Sequence, residues 1–122
     1  MVVGGGDCRL FGVLQGMILR IFRAEIFPEM KSEFERDVAA ASVRMVMNQE
    51  GCLSCQIAQP IRPESTVYAL LSLWKDRESL IAFVGADFET ANIPAGMGRY
   101  IKSCSVENYF SLEPFRRRSP DA

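Results

Sequence analysis

Tryptophan occurs once in this chain, at Trp74, and its setting is the first chemical clue. The run Val67-Tyr68-Ala69-Leu70-Leu71-Ser72-Leu73-Trp74 reads as a buried strand, and Lys75-Asp76-Arg77-Glu78-Ser79-Leu80 reads as a capped helix start directly after it. A large aromatic at the seam between sheet and helix is where a small α+β domain opens a pocket. Tyr68, Leu70, Ser72 and Trp74 have equal parity along the strand and so share one face. Histidine is absent from all 122 residues. Any chemistry must therefore do without the usual near-neutral acid/base group and without the commonest metal or haem ligand.

The second candidate group is Cys52-Leu53-Ser54-Cys55, a C-x-x-C pair among four cysteines that also include Cys8 and Cys104. Zinc would need a second ligand pair, and Cys8 and Cys104 are isolated. A redox C-x-x-C normally opens a helix, whose dipole lowers the thiol pKa. Here the pair begins a strand, where residues three apart point to opposite faces. The reading is reduced, structural thiols, with no metal expected.

Composition bounds the rest. A chain of 122 residues with 48% hydrophobic and 24% charged residues fits one soluble globular domain. A net charge of −1 provides no field to hold phosphate backbones, so no nucleic-acid partner is expected. The basic run Arg116-Arg117-Arg118 sits in a short polar tail, residues 113–122. No apolar run reaches the roughly 20 residues that span a bilayer. The start, Met1 to Cys8, lacks the basic and apolar regions of a signal peptide. Residues 1–16 are expected to be a flexible leader ahead of a domain over 17–112, and the setting cytoplasmic.

Six elements would position these groups. Met17 to Ile26 reads as a strand with Leu19, Ile21, Arg23 and Glu25 on one face and Ile18, Arg20, Phe22, Ala24 and Ile26 on the other. Pro28 suits a first helical turn, and Met30, Phe34, Val38, Ala41 and Met45 form an amphipathic stripe running to about Met47 or Asn48. Gly51 supplies the turn into a second strand, Cys52 to Gln59. A six-residue loop, Pro60 to Ser65, then makes a hairpin with the strand Thr66 to Trp74. Asp76 caps a second helix whose buried stripe is Leu80, Phe83, Val84 and Phe88. After an irregular stretch around Asn92 to Ile101, Ser103 to Leu112 reads as the last strand. The order β-α-β-β-α-β is a ferredoxin-like α+β fold with an antiparallel four-stranded sheet.

Two helices cover one sheet face. The other would carry Val67, Ala69, Leu71 and Leu73, too apolar for water, and both faces of the first strand carry apolar residues. A second copy packed sheet to sheet closes a barrel, so a homodimer is expected.

With this pattern, residues 17–112 resemble the antibiotic biosynthesis monooxygenase family, dimeric α/β-barrel proteins. The landmarks are the strand from Met17, the Pro28-Glu29 helix start, Glu50-Gly51 entering the second strand, the proline-bearing hairpin loop, and Trp74 followed by Lys75-Asp76-Arg77-Glu78-Ser79-Leu80. The family includes cofactor-free oxygenases of polyketide phenols and quinols and relatives that degrade haem. Members commonly carry Glu two residues before the tryptophan, where this chain has Ser72, and His in the second helix, where it has Phe83 and Asp87-Phe88. Lack of histidine excludes a haem degrader with an axial His.

The resemblance implies a cofactor-free oxygenase acting on a quinol, phenol or similar aromatic. Such a protein binds a flat ring, stabilises the phenolate and excludes water. Trp74 and Phe83 are placed to stack the ring, and Arg23, if it faces the helix-side pocket with Leu19 and Ile21, to stabilise the anion. Tyr68 and Ser72 are placed to hydrogen-bond the substrate, and Arg99 and Tyr100 to form a lid edge. Arg23 and Trp74 are thus the catalytic candidates. The alternative is a non-catalytic dimeric module binding a hydrophobic small molecule. The two separate on whether the space beside the second helix is open with Arg23 pointing into it.

Overall fold

The computed structural model describes residues 16–113 together with Arg116 and Arg118. The expected leader, apart from Gly16, lies outside the described residues, as do Cys8 and most of the tail.

Four strands form one antiparallel sheet: β1 (Ile18–Ile26), β2 (Cys52–Ala58), β3 (Val67–Trp74) and β4 (Ile101–Phe110), in the order β2-β3-β1-β4. This is the split β-α-β arrangement expected from the element order. Ile18 lies opposite Trp74, and Arg20 opposite Ser72, which aligns the even-numbered residues of β1 and β3 on one face. That face carries the helices. Leu19, Ile21, Arg23, Ala69, Leu71 and Leu73 share the other, open face.

The first helical segment, α1, runs over residues 28–47 and is not uniform. A 3-10 turn, Pro28–Met30, leads through Lys31–Glu33 into a π-helical stretch, Phe34–Val38, before a regular α-helix, Ala39–Met47. The π-turn is closed by the Ala39 N–H donating to the Phe34 carbonyl, five residues back. One extra residue in a turn rotates all that follows by about 100°. The expected stripe therefore breaks after Val38: Phe34 is buried, but downstream Val46 enters the core while Met45 stays exposed.

The second helix, α2 (Arg77–Val84), is capped as expected, with the Ser79 N–H donating to Asp76 Oδ1 at 2.8 Å. It stops at Gly85, where φ is +98°, so Phe88 packs from the following loop and not from the helix. Gly51 holds φ at +89°, and a Cβ there would collide with the Ser79 side chain, which explains glycine at this turn.

The cysteine pair departs from the expectation. A bulge between Cys52 and Ser54 inserts Leu53, so that Cys52 pairs with Trp74 and Cys55 with Ser72. Both thiols thus lie on the helix-covered face, packed against the Trp74 cluster, and not on opposite faces. Burial raises both thiol pKa values, Cys55 to about 11 with a further contribution from Cys52. Among the described residues Cys52, Cys55 and Cys104 are free.

The core between sheet and helices is in two parts. One gathers Ala24, Ile26, Phe34, Tyr68, Tyr100 and Ile101; the other gathers Ile18, Val46, Trp74 and Leu80. No helix among the described residues is long and apolar enough to cross a membrane.

Candidate functional site

A cavity of about 620 Å³ lies between the two parts of the core. Its floor is the helix-facing side of the sheet: Arg20, Phe22 and Ala24 from β1, with Tyr68, Leu70 and Ser72 from β3. α1 contributes a wall that includes Phe34, Val38, Ser42 and Val46, and Phe83 and Val84 of α2 contribute the opposite one. The loop between α2 and β4 borders it through Thr90, Asn92, Pro94, Ala95 and Met97. The lining is largely apolar, of a size suited to a small organic molecule.

Arg23 is not in this cavity. Its odd parity puts it on the open face, half-exposed, where it pairs with Glu107 of β4 and holds that carboxylate below its usual range. The arginine that lines the cavity is Arg20, which is only 8% exposed. Its Nη1 donates to the Phe88 carbonyl at 2.8 Å and to Asn108 Oδ1 at 3.0 Å. No carboxylate among the described residues pairs with it, and desolvation lowers its pKa. The sequence places Tyr68, Ser72 and Trp74 on the pocket face and makes the role of Arg23 conditional on sharing it; the register of β1 against β3 gives that place to Arg20. The signal was available: Arg23 and Glu25 put two charges on one face, whereas Ala24 and Ile26 flank Arg20's side.

Trp74 is fully buried behind the cavity, and it is not a lining residue. Its indole stacks on Phe83, centroids 5.4 Å apart and planes 20° from parallel. Phe83 is the ring that reaches the cavity. The indole Nε1–H donates to Ser72 Oγ at 2.9 Å. A hydroxyl has one proton and two acceptor sites, so with one acceptor site taken by the indole, the Ser72 O–H is left to donate. Arg20 and Ser72 lie side by side across the β1–β3 ladder, and together they make a floor of donors.

Tyr68 lines the cavity with its ring, edge-on to Phe34 at 5.1 Å, while its hydroxyl donates to Glu35. Burial and that hydrogen bond push its pKa well above the ordinary tyrosine range, so it stays protonated. Arg99 and Tyr100 do not line the cavity. Arg99 lies 4.8 Å over the Tyr100 ring, and both bind Glu33, Arg99 at 3.1 Å and the Tyr100 hydroxyl at 2.6 Å, which ties the end of the loop before β4 to α1. The lid edge expected of them is formed instead by residues 90–97. Asp37, unforeseen in the sequence, reaches the cavity from the π-turn, where Arg36 binds both its carboxylate oxygens at 2.9 and 2.7 Å and keeps it ionised.

A split β-α-β sheet with a largely apolar cavity beneath two helices is the architecture of a small α+β domain. The family model for antibiotic biosynthesis monooxygenases matches residues 17–88, and the chain belongs to that family. Among solved structures it is similar to a candidate antibiotic biosynthesis monooxygenase from Caulobacter crescentus, at 22% identity and TM-score 0.61 over 88% of this chain and 99% of that one. A second, from Nitrosomonas europaea, aligns at 16% identity and TM-score 0.63 over 82% and 95%. The heme-degrading protein Rv3592 of Mycobacterium tuberculosis aligns at 19% identity and TM-score 0.57 over 84% and 98%. At these identities the likeness is one of fold. Comparison with curated protein sequences gives no match.

Haem, which the last of these relatives degrades, finds a poor donor set here. Among the described residues the lining offers neither imidazole nor thiolate, and the Tyr68 hydroxyl is committed to Glu35.

Proposed function

We propose that the chain is a cofactor-free monooxygenase of an electron-rich phenol or quinol. The observation that carries this reading is the buried, carboxylate-free guanidinium of Arg20 in the floor of an otherwise apolar cavity. Overall, a phenol and O₂ give a quinone and water: one oxygen atom enters the ring and the other leaves as water. The ring supplies all four electrons, so no external reductant is required. The protein's part is to favour the phenolate, which donates electrons to O₂ far more readily than the phenol does. A fixed positive charge in a low-dielectric site does this at low reorganisation cost. Ser72 O–H donates to the same oxygen, Phe83 offers a face for the ring, and residues 90–97 exclude water.

The working form in this reading is a homodimer, with the open faces packed together. Leu19, Ile21, Leu71 and Leu73 form a contiguous apolar surface there, and Val67 is 44% exposed. Burial of such a patch is the ordinary driving force of sheet-to-sheet association.

A second reading, a non-catalytic module binding a hydrophobic small molecule, draws on one observation. Among the described residues no free general base faces the floor, since the carboxylate that reaches the cavity, Asp37, is held by Arg36. Oxygen uptake by chelator-treated protein across a panel of hydroquinones and anthrones separates the two. Turnover that survives chelation and collapses in Arg20→Gln supports the oxygenase, whereas ligand binding with uptake at the uncatalysed rate supports the module.

A further inference from the structure

Arg20 does more than place a charge. Nη1 spends its hydrogens on the Phe88 carbonyl and Asn108 Oδ1, which fixes the plane of the guanidinium. Asn108 Nδ2 also donates to the Phe88 carbonyl at 3.3 Å, so this anchor is itself held. The remaining donors, on Nε and Nη2, have no partner among the described residues. These two nitrogens form one edge of the guanidinium, with parallel N–H bonds whose spacing matches a pair of oxygens on a single carbon or on adjacent carbons.

The charge balance points the same way. Among the described residues Arg20 and Asp37 are the two charged ones lining the cavity, and Asp37 is already paired with Arg36. The cavity therefore holds one uncompensated positive charge, which is costly in an apolar surround unless a ligand brings the counter-charge. A single guanidinium balances a monoanion; a phosphate dianion would remain half-compensated and short of donors.

We propose that the cavity's ligand is an apolar or aromatic molecule whose charged end presents two neighbouring oxygens sharing one negative charge, seated bidentately on the Nε–Nη2 edge of Arg20. A carboxylate and the enolate of an adjacent hydroxy-ketone share this chemistry. The inference rests on the proposed function only in taking this cavity as the ligand site, and it does not require turnover.

Titration calorimetry of the full chain without O₂, using ligands that are not oxidised, tests it. 2-Naphthoate is compared with its neutral isostere 2-naphthamide, and the anion of 2-hydroxy-1,4-naphthoquinone with the neutral 2-methoxy compound. At least one anion should bind ten-fold or more tighter than its neutral counterpart, as charged hydrogen bonds imply, and that preference should vanish in Arg20→Gln. Preference in the first pair alone assigns a carboxylate, in the second alone a hydroxy-ketone enolate, and in both the shared chemistry. Arg20→Lys keeps the charge but loses the fork, and should bind the preferred anion at least five-fold more weakly. Should Arg20→Gln not fold, the anion preference of the unsubstituted protein and the Arg20→Lys result decide together. Equal binding of both anions and their neutral partners, no binding at all, a preference that survives Arg20→Gln, or undiminished binding by Arg20→Lys overturns the proposal. Absence of quinol turnover beside these binding preferences would overturn the oxygenase reading alone.

Discussion

Arg20 and Arg23 sit three residues apart on one strand and lead opposite lives. Arg23 is half-exposed on the open face and satisfied by Glu107. Arg20 is buried under the helices, is held by a carbonyl and an amide, and meets no carboxylate among the described residues. A surface ion pair of the first kind contributes little, typically below about 1 kcal/mol. An unpaired buried guanidinium costs stability, and charged groups perturbed by burial cluster at functional sites. In the proposed reading the two faces therefore divide the work: the open face meets a second copy of the chain, and the helix face seats a small molecule.

Charge placed on the open face should have the largest effect. Leu71→Glu puts a carboxylate at the centre of the proposed sheet-to-sheet interface, in both copies at once. An unpaired buried charge costs about 3–5 kcal/mol, so the dimer dissociation constant should rise by about a thousand-fold or more, read by analytical ultracentrifugation. A protein that is monomeric before the substitution would remove the open face's assigned role.

The arginine pair sharpens the contrast directly. Loss of one preorganised donor to a developing oxyanion costs about 10²–10³ in rate, so Arg20→Gln should lower quinol turnover by roughly that factor. Arg23→Gln should change it less than about three-fold, since its side chain faces away from the cavity. Comparable losses in both would mean that the partner's open face reaches the chemistry.

Much of this division was legible in the sequence. The strand and helix order, the Asp76 cap, the Gly51 turn and the apolar residues of the open face follow from local rules of parity, capping and backbone freedom. What the sequence concealed were two insertions of one residue. The π-turn at Phe34–Val38 exchanges Val46 for Met45 in the core, and the bulge at Leu53 brings Cys52 and Cys55 to one face. Each resets a periodicity that counting assumes constant. The position of Arg23 relative to the pocket was open for a different reason. Parity separates the two faces of β1 but does not say which of them joins Trp74; the pairing of Ile18 with Trp74 does, and the burial of both marks the covered face.

Stability should show the same contrast with a smaller amplitude. Arg20→Met keeps the length of the side chain and removes the uncompensated charge, while the Phe88 carbonyl keeps its bond from Asn108 Nδ2. Replacement of buried ionic groups by apolar ones of similar volume is often neutral or stabilising by about 1–4 kcal/mol. Arg20→Met should therefore melt at or above the temperature of the unsubstituted protein, by differential scanning calorimetry, while losing anion binding. A drop of several degrees would show that the guanidinium is a structural strut.

The smallest effect concerns Cys55, whose thiol titrates at about 11 because burial on the helix face, and then Cys52, oppose the thiolate. The folded state holds its proton more tightly than the unfolded chain, where the thiol titrates near 9. Stability from this group is thus full below about pH 9 and declines as pH rises towards 11. At pH 8 Cys55 should react with iodoacetamide far more slowly than the same thiol in urea, by peptide mapping of the adducts. A thiol introduced at the exposed, open-face position beside it, Ser54→Cys, should react at the rate of an ordinary exposed cysteine in the Leu71→Glu background. Equal rates at 54 and 55 would mean that the bulge does not turn Cys55 under the helices, and that the faces are less distinct than the pairing indicates.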